Sequence, residues 1–277
     1  MSTTTGSDPA STRPVTVVTG GSDGIGLAIA HRFAAKGHEL LLVARGAERL
    51  AAAAAAITAR HGGKAHVLTL DLVGADAPAI IEAKLAEIGG HAEVIVNNAG
   101  IGLSGAFVDL PPEAIDRLLA LNVAVPTRLM RHFAPPMQRR GSGGFLNLAS
   151  LGGYMPGPYQ AVYYASKAYL ISVSEALASE MRSSGIRVTV VAPGPVRTAF
   201  HARMGAEQSL YRWLLPAPSP AYVAWNAVTG FDLGLRLVVP GFLSMFLFVA
   251  LRLLPHRLGI PVVGVLLKPR GRENHDA

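Results

Sequence analysis

The sequence predicts an α/β protein in which a parallel sheet is covered by helices on both faces. Three observations carry this. Short apolar runs alternate with longer stretches of helical apolar spacing from Pro14 to Gly194. Glycine and proline punctuate the boundaries. The short runs are apolar throughout, as strands buried on both faces must be. Right-handed crossovers then give a doubly wound, Rossmann-type sheet.

Each element has its own signal. "PVTVVTG" is a β-branched run ending at glycine, and "GIGLAIAHRFAAKG" is a helix stopping at Gly37. "HELLLVA" is the second strand. "AERLAAAAAAITARHG" is a helix on composition alone. "AHVLTLDL" and "AEVIVNNAG" are strands with the helix "PAIIEAKLAEIG" between them. Residues 112–141 hold one long helix bounded by prolines. "GFLNLAS", "AVYYASKAYLISVSEALASEMRSSG" and "IRVTVVAPG" then read strand, helix, strand. Past Gly194 the alternation breaks. A short helix follows Ser219 as N-cap and Pro220 as first residue, and "LRLVVPG" is a last strand.

The bulk numbers narrow the classes. A chain of 277 residues suits one domain with a small appendage. Half the residues are hydrophobic and only 16% are charged, so a large core is available. The absence of cysteine excludes disulfides, thiolate chemistry and a Cys-based metal site. No His, Asp or Glu cluster has metal spacing, so no metal is expected. The formal charge of +7 suits a phosphate-rich cofactor or an anionic membrane surface. No basic run interleaved with aromatics points to nucleic acid. Residues 1–13 are polar and small and read as a disordered tail rather than a secretory signal, which places the protein on the cytoplasmic side. The catalytic domain spans 14–241, and 242–277 is an apolar and basic extension.

The first strand-to-helix turn is "TGGSDGIG". Gly20, Gly24 and Gly26 let the backbone turn tightly and approach a pyrophosphate, which the helix N-terminus favours. Ser22, Asp23 and Ile25 lie in the same cradle. The spacing is G-x-x-x-G-x-G, so a ligand-free turn competes with this reading. After the second strand, where an acid would hold a ribose hydroxyl, stand Ala44 and Arg45. A guanidinium there pairs with a 2′-phosphate and favours NADP(H), although Asp23 places a negative charge in the same loop. Asp71 and Leu72 end the third strand, where Asp71 either meets an adenine edge or caps a turn.

"TGGSDGIG", "NNAG", Asn122 in "LNV", Ser150, "YYASK" and "PGPVRT" stand in the order and spacing of the short-chain dehydrogenase/reductase family, which the chain resembles over about Pro14 to Thr198. The resemblance implies that Ser150, Tyr163 and Lys167 react, with Asn122 holding a water behind Lys167. It selects Tyr163 over Tyr164, through Tyr-x-x-x-Lys. It implies that Lys167 and Tyr163 also meet the cofactor ribose, that Asn98, Ala99 and Gly100 line the cofactor, and that Pro193, Gly194, Val196 and Thr198 pass near the nicotinamide. The chemistry needs the same types. A ketone gaining hydride develops negative charge on oxygen, a phenol supplies the proton, and an ammonium one turn away is expected to lower the phenol's pKa. Ser150 steadies the oxygen.

Leu237 to Leu251 carries no charge but contains Pro240 and Gly241. It is too short to span a bilayer. Three placements are open: a cap on an apolar substrate pocket, a helix in a membrane interface helped by Arg252, Arg257, Lys268, Arg270 and Arg272, or a dimer interface. An apolar, proline-broken tail is similar to that of a bacterial subgroup of the family. The expectation is an NADP(H)-dependent oxidoreductase acting on an apolar, lipid-like carbonyl or secondary alcohol, with a 3-oxoacyl reductase as one candidate. A homo-oligomer with peripheral membrane contact is expected. The alternative is a non-catalytic nucleotide-binding or membrane-surface protein on the same fold.

Overall fold

The computed structural model describes residues 12–268. The start of the expected disordered tail, and Arg270 and Arg272, lie outside the described residues. One parallel sheet organises the chain. β1 (Arg13–Thr19) is flanked by β2 (Glu39–Ala44) and then β3 (Ala65–Thr69) on one side. On its other side lie β4 (Gly90–Asn97), β5 (Gly144–Leu148), β6 (Arg187–Val191) and the two-residue β7 (Leu237–Val238). The predicted strand 235–241 thus shrinks to the residues whose backbone reaches β6. All pairs are parallel, as expected.

Adjacent residues of each central strand serve opposite layers. Val17, Leu41 and Ile95 face a cluster with Ile81 of α3 (Ala77–Glu87), Leu129 and Phe133 of α5 (Val125–Arg140), and Leu170 of α6 (Ala161–Glu180). Val18, Leu42 and Val96 face the other cluster. It holds Ile29 and Phe33 of α1 (Gly24–Ala35), Ile57 of α2 (Ala47–His61) and Phe231 of α9 (Pro220–Asp232). Side chains buried this fully stabilise by about 1.5–3 kcal/mol each, which lets strands this short persist.

The segment 112–141 is not one helix. α4 (Pro112–Leu119) passes through a π turn at Ala120–Ala124, closed by Val125 N donating to Ala120 O, before α5 begins. Nor do Pro135 and Pro136 end a helix. They sit inside α5, whose buried Phe133, Ala134 and Met137 hold it together to Arg140 despite two missing donors. Past β6 come two four-residue helices, α7 (Phe200–Arg203) and α8 (Tyr211–Leu214). α9 starts as predicted, with Ser219 Oγ accepting from Tyr222 N at 3.2 Å. The apolar tail folds into α10 (Phe242–Leu253) and α11 (His256–Leu267). No helix of the described residues is long and apolar enough to cross a membrane.

Candidate functional site

The strand order reverses beside β1, so the crevice above β1 and β4 is where this topology places ligands. Thr19 and Asn98 fix its floor. Thr19 Oγ1 donates to Val96 O at 2.8 Å and accepts from Asn98 N and Ala99 N. Asn98 Nδ2 donates to Thr19 O at 3.0 Å and Gly20 O at 3.2 Å. Sequence does not single out Thr19, because a threonine ending a strand carries no local signal. Gly20 and Gly24 have positive φ, so the loop needs them as glycines. Gly26 is off the cavity wall. Its missing Cβ makes room for Asn98, whose Nδ2 would lie 2.3 Å from that carbon. Asp23 caps α1, accepting from Gly24 N at 2.7 Å, and its other oxygen pairs with Arg203 at 2.6 Å. The charge that counted against a phosphate there is thus engaged.

A cavity of about 450 Å³ runs from this loop in two directions. One end is lined by Ser22, Ile25, Ala44, Arg45, Asp71 and Leu72, together with Arg49, which is absent from the residues expected from sequence. Arg45 lies just before α2 and Arg49 in its first turn, so the two meet at the cavity through the loop between β2 and α2 and not through helical spacing. Asp71 does cap a turn, accepting from Val73 N at 3.3 Å, and also pairs with Arg117 at 2.8 Å. The Arg117 hydrogen bond holds its carboxyl below the usual range.

The other end holds the reacting groups. The buried stripe of α6 carries Tyr163, Ser166, Lys167, Leu170 and Ser174, so Tyr163 and Lys167 face inward one turn apart. Ser150 follows β5 in extended backbone. Its Oγ accepts from Gly152 N at 3.1 Å, and the hydroxyl is near enough to the Tyr163 phenol to favour its ionised form. Lys167 Nζ donates to Leu148 O at 2.8 Å and lies 5.8 Å from the Tyr163 ring centre. Asn122, in the π turn, stands behind the wall. Its Nδ2 donates to Ile101 O at 2.8 Å and Ser166 Oγ at 3.1 Å, while its Oδ1 accepts from Ile101 N. A Cβ on Gly100 would sit 3.1 Å from Asn122 Oδ1 and 3.7 Å from Lys167 Nζ, so that glycine keeps the space between them open. Ala99, Pro193, Gly194, Val196 and Thr198 lie on the wall, with Thr198 against Gly24.

One electrostatic expectation is corrected. Burial pushes the Tyr163 phenol above its ordinary range, and the Ser150 hydrogen bond only partly offsets this. Burial also brings Lys167 down to about 8. Tyr164, a wall residue too, is pushed up by burial and packs its ring over Gly152 and Gly157. The tail lies on the protein: Leu247 and Leu251 of α10 and Val263, Leu266 and Leu267 of α11 line the cavity with Phe200 and Met204.

The wall therefore offers a backbone cradle with positive-φ glycines at a helix N-terminus, two arginines at one end, and a serine–tyrosine–lysine group at the other. That donor set fits an elongated dinucleotide. A model of the short chain dehydrogenase family matches residues 14–209. A probable oxidoreductase of Mycobacterium tuberculosis is 34% identical over 68% of this chain; the chain spans 32% of that relative's length. Two solved structures align over 95% of the chain. A short-chain dehydrogenase from Sphingobium yanoikuyae in complex with NADPH is 32% identical, with 98% of it covered and a TM-score of 0.77. A bulky-bulky ketone specific alcohol dehydrogenase from Comamonas testosteroni is 30% identical, with 97% covered and a TM-score of 0.75.

The Lys167 shift has a readable sign. Between its folded value of about 8 and its ordinary 10.5, the unfolded chain holds a proton that the folded one has lost. Stability contributed at this position therefore rises with pH across that window. Lys167→Met removes this contribution. In ligand-free protein, the Tm difference between wild type and variant should move in favour of wild type from pH 8 to 10. A flat or opposite trend contradicts the shift.

Proposed function

The chain belongs to the short-chain dehydrogenase family, and from that premise we propose that it is an NADP(H)-dependent oxidoreductase. It reduces a ketone, or oxidises the matching secondary alcohol, of an apolar substrate. The observation that carries this is the convergence of Ser150, Tyr163 and Lys167 at one end of a cavity whose middle is the glycine loop.

A nicotinamide dinucleotide, when bound, supplies the hydride. The glycine loop and the start of α1 hold its phosphates, and Arg45 and Arg49 take a 2′-phosphate. Ser150 Oγ donates a hydrogen bond to the substrate's carbonyl oxygen and orients it. Tyr163 gives its proton to that oxygen as the carbon gains hydride, leaving an alcohol. A phenol that burial keeps protonated suits the donor's role, and the buried ammonium of Lys167 supplies the positive charge beside the phenolate that forms. In the reverse direction the same phenolate takes the hydroxyl proton. The apolar cover from α10 and α11 and the ketone named for the Comamonas relative both support a bulky, apolar substrate.

Tyr163→Phe should cut kcat for NADPH-dependent ketone reduction by about 10²–10⁴-fold with cofactor affinity near normal. Tyr164→Phe should be mild. Steady-state kinetics and cofactor titration check this, and an inactive Tyr164→Phe beside an active Tyr163→Phe reverses the assignment. Cofactor binding by the wild type without turnover of any ketone or secondary alcohol would favour the non-catalytic alternative.

The cofactor choice has its own test. Arg45→Ala with Arg49→Ala should lower kcat/KM for NADPH and leave that for NADH nearly unchanged, and Ala44→Asp should shift preference towards NADH by repulsion. A wild-type preference for NADH in kcat/KM overturns the reading.

A second reading concerns the tail's outer face. α10 has no buried residue, and Phe242 (90%), Phe246 (62%) and Leu253 (76%) are exposed while Leu247 and Leu251 face the cavity. Arg252 and Arg257 are exposed, and no Asp or Glu occurs between Asp232 and Glu273. Apolar surface edged by cations supports seating on an anionic membrane surface. Twelve residues make a helix about 18 Å long, short of a ~30 Å hydrocarbon core, so the helices would lie in the plane. The protein should float with phosphatidylcholine vesicles only when phosphatidylglycerol is added, and Phe246→Asp with Leu253→Asp should abolish this. Failure to float, or a concentration-dependent dimer lost in the same variant, rejects the membrane in favour of solvent or a second copy.

A further inference from the structure

Among the described residues, Asp23 and Asp71 are the acids on the cavity wall. Each is met by an arginine from a distant element. Arg117 of α4 lies 2.8 Å from Asp71, and Arg203 of α7 lies 2.6 Å from Asp23. Arg45 and Arg49 line the same wall and have no ion pair among the described residues. Four guanidiniums thus stand against two carboxylates around the dinucleotide end. Asp23 is the acid that matters for phosphates, because it lies within the glycine loop. It is held there, since its Oδ1 accepts from Gly24 N at 2.7 Å and caps α1. Left unpaired, it would set a full negative charge against any phosphate in that loop. Its Oδ2 instead accepts from Arg203, which reaches it across 180 positions of chain. Of the two side chains, 60% of Arg203 and 51% of Asp23 are exposed, so a ligand can reach the pair. Exposed pairs of this kind contribute little to folding. The fold therefore has small need of Arg203, and the loop has a large one.

We propose that Arg203 is a cofactor-positioning residue. By keeping Asp23 neutralised, it lets the glycine loop accept the phosphates of a dinucleotide. This rests on the nicotinamide dinucleotide reading and adds to it a residue from α7, outside both the glycine loop and the arginines assigned to the 2′-phosphate. Arg203 acts through Asp23 and not by touching the phosphate, so its effect is conditional: it should matter only while residue 23 carries a charge. The coupling between two positions is what a double-mutant cycle measures.

The test is calorimetric titration of the full chain with NADPH at low salt. Arg203→Gln should raise Kd about fivefold, the scale of one unit charge acting near the surface, and Arg203→Lys, which keeps the charge, should raise it less. The loss in Arg203→Gln should shrink between roughly 0.1 and 1 M NaCl. Asp23→Asn keeps an acceptor for the cap and removes the charge, so it should bind NADPH at least as tightly as wild type. Adding Arg203→Gln to Asp23→Asn should then change Kd little. Wild-type affinity in Arg203→Gln overturns the proposal. So does an equal loss from Arg203→Gln with and without Asp23→Asn, which would put the guanidinium on the phosphate itself. The Tm of ligand-free Arg203→Gln should stay close to that of wild type, and a marked fall also overturns it, because the pair would then serve the fold. If wild type binds NADH and not NADPH, the cofactor choice fails by itself, and the same cycle is decided with NADH, whose pyrophosphate meets the same loop. A wild type that binds neither dinucleotide overturns both.

Discussion

The carboxamide of Asn98 spans the gap that opens where β1 and β4 send their chains apart, and the site depends on that bridge. Its two donated bonds take the carbonyls of Thr19 and Gly20, which a parallel ladder leaves unpaired at the strand end. With those carbonyls turned towards Asn98, the loop between β1 and α1 is fixed with its backbone open to the cavity. The absence of a side chain at Gly26 follows from the same bridge, since any Cβ there would occupy the space of the amide. Asn98 is thus a wall residue whose main work is behind the wall.

A second polar chain fixes the other end. Asn97 donates to Asn147 at 2.8 Å, Asn147 donates to Ser174 at 2.8 Å, Asn122 donates to Ser166, and Lys167 donates to Leu148 O. These buried groups sit among Leu170, Ile171 and Ala178 on one stripe of α6. An apolar stripe alone would let the helix slide or rotate slightly at little loss. Hydrogen bonds to β5 and to the π turn have narrow geometry, so they set the rotation of α6. That rotation aims Tyr163 at Ser150. The same burial that supplies this order raises the phenol and lowers the lysine.

Much of this is legible in the chain because its signals are local. Apolar runs of strand length, the glycine spacing after β1 and the four-residue step from Tyr163 to Lys167 each depend on neighbours in sequence. What escapes is set by distant partners. Arg203 neutralising Asp23 joins residues 180 positions apart, and nothing near either one announces it. Pro135 and Pro136 read as helix ends until the packing of Phe133 and Met137 is known. The tail's composition fits three placements, and only its register against the cavity separates inward Leu247 and Leu251 from outward Phe246. Burial of Lys167 is readable as a helix stripe, but its electrostatic consequence is not: attraction to the phenol is visible in the spacing, whereas desolvation depends on the whole wall around it.

The π turn at Ala120–Ala124 has a consequence for how this segment tolerates changes in length. A π turn closes each hydrogen bond over one more residue than an α turn, so it acts as a one-residue insertion absorbed without rotating the helix beyond it. A chain one residue shorter at this point would run α4 into α5 as one uninterrupted helix, still burying Leu118 on one side and Leu129 with Phe133 on the other. The fold would gain regularity and keep its core, while the bulge that turns Asn122 towards Ile101 and Ser166 would be gone. Length in this segment is therefore answerable to the site rather than to stability, and a single-codon deletion here would separate the two.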